Sequence, residues 1–193
     1  MHWAVAVIVL FSVSLVSGNY RPLYYFVNPL ISTKATAVLR ANGTGDIVGA
    51  LEFDQAELYG PVTVRGNLRG LTPGEHGFHI HQFGDMVEGC KSAGPHFNPS
   101  TWIHGGQSDM VRHIGDLGNI RGDRHGHVQI HLTDDRMTLQ GRNNIIGRSV
   151  IVHALRDDLG RGGDAESLIS GNAGARIACG IIGLADEVVD WNV

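Results

Sequence analysis

Six of the chain's 11 histidines lie between His76 and Asp116: His76, His79, His81, His96, His104 and His113. Imidazole is the commonest ligand for zinc and copper because it offers a neutral nitrogen at physiological pH. Gly and Pro are interleaved with these histidines, which predicts loops wrapped around metal. His79 and His81 are two residues apart, with Phe78 before them and Ile80 between. On a strand such residues share a face, so the imidazoles point one way while Phe78 and Ile80 enter a core. His96, His104, His113 and Asp116 come from loop. Three nitrogens and a carboxylate fill a tetrahedral zinc site and leave no open position, which is the structural type. His79 and His81 are too few for a second site, and the apolar segment Ser149–His153 offers a further imidazole at His153.

The elements that must position these groups read as strands. Ile47, Gly49, Leu51 and Phe53 alternate with polar or small residues; so do Val62, Val64 and Leu68, and so do Val128, Ile130 and Leu132. Period-two segments separated by Gly, Asp and Asn predict an antiparallel sandwich or barrel. Asn42-Gly43 and Gly122-Asp123-Arg124-His125-Gly126 read as hairpin ends. No segment carries a convincing helical period. A chain of 193 residues with 27 Gly is expected to form one domain rich in turns. The formal charge of −4 argues against nonspecific nucleic-acid binding, which needs a basic face. His125, His127 and His131 fall in or after a turn, and a solvated polar face accounts for them.

Trp3 to Val16 is apolar apart from Ser12 and Ser14, too short to span a bilayer, and is followed by the small residues Ser17 and Gly18. Residues 1–18 are therefore expected to be a secretory signal peptide, leaving no stable membrane insertion after cleavage. Residues 19–32 form an aromatic extension carrying Tyr20, Tyr24, Tyr25 and Phe26. Asn42-Gly43-Thr44 is a glycosylation sequon on a predicted surface turn, so Asn42 is an expected glycan site. The expected location is extracellular.

Four segments together resemble the signatures of the copper/zinc superoxide dismutase family. They are His79-Ile80-His81, Gly94-Pro95-His96-Phe97-Asn98-Pro99, His113-Ile114-Gly115-Asp116-Leu117-Gly118-Asn119 and Gly171-Asn172-Ala173-Gly174-Ala175-Arg176. The resemblance covers roughly residues 33–186, leaving 187–193 as a tail. It implies an all-β, eight-stranded antiparallel Greek-key barrel with long metal-binding and electrostatic loops. It implies copper ligands His79, His81, His96 and His153, and zinc ligands His96, His104, His113 and Asp116. His96 would bridge the ions as an imidazolate. Asp157 matches the outer carboxylate linking His79 and His104, and His76 matches a histidine that bonds backbone. The implied activity is dismutation of superoxide to dioxygen and hydrogen peroxide, with copper cycling between two oxidation states and Arg176 positioning the anion. Such outer partners and donors tune metal affinity and hold small oxyanions.

The two cysteines, Cys90 and Cys179, are an even pair, which in a secreted chain implies a disulfide. By resemblance it ties the loop carrying Cys90 to the last strand, beside Arg176. The family's dimer contact corresponds to Phe83-Gly84, Ile146-Gly147 and the stretch from Ile181 to Leu184, implying a homodimer. A copper chaperone or a secretory-pathway copper source is the implied metal donor. The chain departs from the family at Ile169, where the electrostatic loop commonly has a lysine. Arg161 and Arg176 are left to focus the anion onto an acidic protein. Two other classes fit less well: a non-enzymatic copper carrier or chaperone-like domain, and an extracellular binding module on the same fold.

Overall fold

The computed structural model describes residues 33–185. The expected signal peptide, the aromatic extension and the tail lie outside the described residues. Nine strands follow in order: β1 (Thr33–Ala41), β2 (Ile47–Gln55), β3 (Val62–Leu68), β4 (Gly74–His81), β5 (Asp116–Gly122), β6 (Val128–Asp134), β7 (Ser149–His153), β8 (Arg176–Ile181) and β9 (Gly183–Ala185). One helical turn, α1 (Ser167–Ser170), is the only α-helix among the described residues.

The strands form one antiparallel sheet in the order β5-β4-β7-β8-β1-β2-β3-β6, with β9 also on β1. The last strand is interrupted at Ile182. Its first part pairs with Arg40 and Ala41, and its second with Lys34 to Thr36, so β8 and β9 together fill one position beside β1. The barrel is nearly closed, as expected. The alternating segments read from the sequence become β2, β3 and β6, and inward side chains such as Leu51, Phe53, Val64 and Ile130 enter the core.

Asn42-Gly43 does join a hairpin, β1–β2. The Gly122–Gly126 turn does not: Asp123 N–H donates to the His127 carbonyl at 2.9 Å, but β5 then pairs with β4 and β6 with β3. The turn chemistry is that of a tight reversal. The strands diverge because each finds its ladder elsewhere, which leaves them as the two ends of the sheet path.

β4 is buried at every position from His76 to His81. Phe78 and Ile80 enter the barrel with Val150 and Val152 of β7. The opposite face of these two strands is covered by the loops spanning 82–115 and 154–175. The register shifts between Gly77 and His79 on β4, and again between Val152 and His153 on β7. Such bulges bend a strand and re-aim its side chains. Here they fall beside two of the predicted metal-binding imidazoles.

Candidate metal centre

The seven predicted ligand residues converge on one buried region outside the barrel, beneath the two loops. His79, His81, His96 and His153 offer nitrogens within 4.8 Å of one another, and so do the donor atoms of His79, His96, His104 and Asp116. His113 joins the second group: its Nδ1 lies 3.1 Å from Asp116 Oδ1 and 3.4 Å from His96 Nδ1. His96 belongs to both groups and stands between them.

The outward ring nitrogens are each fixed by an acceptor. His79 Nε2 donates to Asp157 Oδ2 and His104 Nε2 to Asp157 Oδ1, both at 2.8 Å. His81 Nδ1 donates to the Gly94 carbonyl at 2.8 Å, His153 Nδ1 to the Gly174 carbonyl at 3.0 Å, and His113 Nε2 to the Trp102 carbonyl at 2.9 Å. A neutral imidazole has one donor and one acceptor nitrogen, so each of these contacts turns an unprotonated nitrogen inward. Gly171, at φ +65°, leaves room for this arrangement. A Cβ there would lie 1.9 Å from Asp157 Oδ1 and 2.5 Å from His104 Nε2.

The inward atoms fit metal ions. His79 Nδ1 and His96 Nε2 are buried without a hydrogen-bond partner. Buried polar atoms left this way are costly, so the two together point to a cation-binding role. His96, His104 and His113 bring their Nδ1 atoms to 2.9, 3.0 and 3.1 Å from the single oxygen Asp116 Oδ1. In neutral rings whose Nε2 already donates outward, the Nδ1 atoms of His104 and His113 carry no proton for this oxygen, and a cation among these atoms satisfies them instead. Ligands on a tetrahedron with zinc bond lengths stand about 3.3 Å apart, close to these separations. In the other group, His81 Nε2 and His153 Nε2 are 3.3 Å apart. That all-imidazole set suits copper as well as zinc.

The electrostatics favour a cation at His79, His81 and His153 and set a proton in competition with a metal at His104. Burial holds the His79 and His81 rings well below their usual range and takes His153 down to about 4, with neighbouring imidazoles adding to it. These rings stay neutral and able to bind a cation. Burial also acts against a charged His104, but hydrogen bonds to Asp116 and Asp157 outweigh it and raise the group to about 9. Asp116 is likewise opposed by burial, yet the three histidines hold it far below the carboxylate range. In the metal-free chain this carboxylate is therefore anionic.

Arg176 pairs with His153 across the β7–β8 ladder. Its guanidinium is half-buried and donates to the carbonyls of Cys90 (2.9 Å), Lys91 (3.1 Å) and Gly94 (2.5 Å). The Gly94 carbonyl thus holds both Arg176 and His81. Cys90 and Cys179 are disulfide-bonded. This bond fixes the loop whose carbonyls anchor Arg176.

His76 bonds backbone, as expected, with Nδ1 2.8 Å from the His153 carbonyl and Nε2 2.9 Å from the Thr72 carbonyl. His125, His127 and His131 are exposed and apart from the site. One expectation needs correction: Arg161 is not a free focusing charge. Its Nη2 donates to both carboxylate oxygens of Asp109, at 2.9 and 3.1 Å, and clasps the two loops together. A guanidinium within reach of a fork-shaped acceptor is satisfied locally.

Sequence reasoning passed over Arg112. It is 1% exposed, donates to the carbonyls of His113, Ile114 and Asp116, and pairs with Asp134. Its position directly before His113 was the only local signal. The Trp102 carbonyl that orients His113 carried none.

A family model described as copper/zinc superoxide dismutase matches residues 47–182. A relative from Onchocerca volvulus named superoxide dismutase (Cu-Zn) is 54% identical over 158 residues, covering 80% of this chain and 98% of the relative. One from Xenopus laevis, named superoxide dismutase (Cu-Zn) A, is 53% identical over 150 residues, covering 78% and 97%. With a match of this extent and donor groups suited to both metals, the chain belongs to the copper/zinc superoxide dismutase family of oxidoreductases.

Proposed function

We propose that this chain is a secreted superoxide dismutase that converts superoxide to dioxygen and hydrogen peroxide outside the cell. The observation that carries the activity is the placement of His96. Its Nδ1 faces Asp116 at 2.9 Å, while its Nε2 is buried without a partner in the other group. In this reading His79, His81, His96 and His153 hold copper, and His96, His104, His113 and Asp116 hold zinc. Copper supplies one-electron redox chemistry and zinc a fixed, redox-inert charge.

The chain's own residues do three things. Asp157 sets the orientation of His79 and His104 through both carboxylate oxygens. Arg176 presents a guanidinium anchored only by carbonyls, so its positive charge is available to orient a small oxyanion. His96 Nε2 is the ring atom placed to take up a proton, since Asp116 holds the other. Removing and restoring the metals tests the activity. Superoxide consumption that returns only when both are bound supports the reading, and none by fully loaded protein contradicts it.

The extracellular role rests on the apolar segment Trp3–Val16 and on the disulfide, which persists in oxidising compartments. Asn42 is exposed on the β1–β2 turn at φ 51°, accessible to a glycan. An unmodified mass after secretory expression would remove that assignment. The homodimer reading rests on Phe83, Ile181 and Leu184, at 52%, 47% and 71% exposure, with Ile181 beside Gly84, which lies against the Gly147 carbonyl. Light scattering should give twice the chain mass. Copper would come from a chaperone or a secretory-pathway source.

A further inference from the structure

The two loops covering the metal centre, 82–115 and 154–175, together with Arg176, carry five cationic side chains: Lys91, Arg112, Arg156, Arg161 and Arg176. Three are neutralised by carboxylates. Arg112 pairs with Asp134, Arg156 with Glu75 at 2.7 Å, and Arg161 with Asp109 at 2.9 Å. Arg176 is held only by carbonyls. Lys91 is exposed and makes no ion pair among the described residues. The two uncompensated cations are adjacent, because Arg176 Nη1 donates to the Lys91 carbonyl at 3.1 Å. On the other loop, Ile169 is 60% exposed and contributes no charge.

We propose that Lys91 is the steering cation of this enzyme, drawing superoxide toward Arg176 in place of the charge that Ile169 lacks. The inference rests on the dismutase reading above. The ammonium sits on a flexible four-carbon stem of the residue whose carbonyl anchors Arg176, and a charge about 10 Å away is only partly screened at the physiological Debye length of about 8 Å. It therefore acts on an anion that Arg176 then orients. The acidic groups nearest in sequence are Asp85 and Glu88, both exposed; Glu88 opens the short 3₁₀ turn Gly89–Ala93 on which Lys91 sits. They oppose Lys91 without pairing to it. This makes Lys91 a positioning residue acting at a distance, with no part in holding metal.

The test compares metal-loaded wild type with Lys91→Gln, Lys91→Glu and Glu88→Gln. The readouts are the second-order rate of superoxide decay and the optically monitored binding of azide, across a series of ionic strengths. A unit charge about 10 Å away in water changes anion attraction roughly two-fold. Lys91→Gln should lower both rate and azide affinity about two-fold at low salt, and Lys91→Glu about four-fold, with Glu88→Gln raising them. The differences should vanish near 1 M salt, where the Debye length falls to about 3 Å. Differences that persist at high salt, or no effect of Lys91→Glu at low salt, would overturn the proposal. Weakened azide binding in Lys91→Glu, with no dismutation by wild type, would uphold Lys91 as the anion-attracting residue and overturn the dismutase reading instead.

Discussion

Arg112 Nη2 donates to Asp134 Oδ2 at 2.5 Å, with both side chains shut off from solvent. The same guanidinium holds the carbonyls of His113, Ile114 and Asp116. The barrel strand β6 is thereby connected to the end of the loop that carries His96, His104 and His113. An ion pair in this position fixes geometry because neither charge has an alternative partner in water.

Asp134→Asn leaves the Arg112 charge buried and uncompensated. It should cost about 3–5 kcal/mol, the usual penalty for removing one partner of a buried pair. Urea denaturation of the metal-free protein gives the stability, and metal analysis after dialysis should show zinc lost before copper. Unchanged stability would mean that the pair is not what holds this loop.

Asp157→Ala should weaken both metals, since its two oxygens orient His79 and His104. Loss of an outer partner typically lowers metal affinity 10–100-fold. Competition against a chromophoric chelator measures each metal separately. A loss confined to one metal would contradict the shared role.

The Asp158 carboxyl gives a pH dependence. Burial acts to raise it, but donors from Ser167 Oγ at 2.7 Å, Asn172 Nδ2 at 2.8 Å and the Gly160 N–H outweigh burial and hold it below the usual range. A folded value below the unfolded one, about 3.9, gives stabilisation that is present above that pH and lost as pH falls through the folded value. Hydrogen exchange in residues 159–171 should therefore be protected at pH 5 and loosen below pH 4. Asp158→Asn should lack that step. An identical profile for the variant would rule the carboxyl out.

Ile169→Lys should raise the second-order rate with superoxide at low salt, by about two-fold for one added charge. With Arg161 engaged by Asp109, the loop has few other cations to offer. No change, or a fall, would count against charge focusing on this side of the site.

The cluster of metal-binding side chains was legible because imidazoles at strand and loop spacings carry chemistry that few other patterns share. His79 and His81 fall on one face of β4 as alternation requires, and His153 ends β7. Long-range polar partnerships were not legible. Asp134 stands 22 residues from Arg112 and Asp109 stands 52 from Arg161, and nothing local distinguishes these carboxylates from solvated ones. The Gly122–Gly126 reversal looked like a hairpin for the same reason: turn residues report the bend, whereas strand pairing is decided by ladders formed far away. Likewise, the bulges beside His79 and His153 have no residue signature, although they re-aim two of the rings.

The most direct measurement is pulse radiolysis of the mature chain loaded with copper and zinc, following superoxide decay. Catalysis should be salt-sensitive and approach the diffusional ceiling of about 10⁹ M⁻¹s⁻¹. No catalysis by protein shown to hold both metals would contradict it.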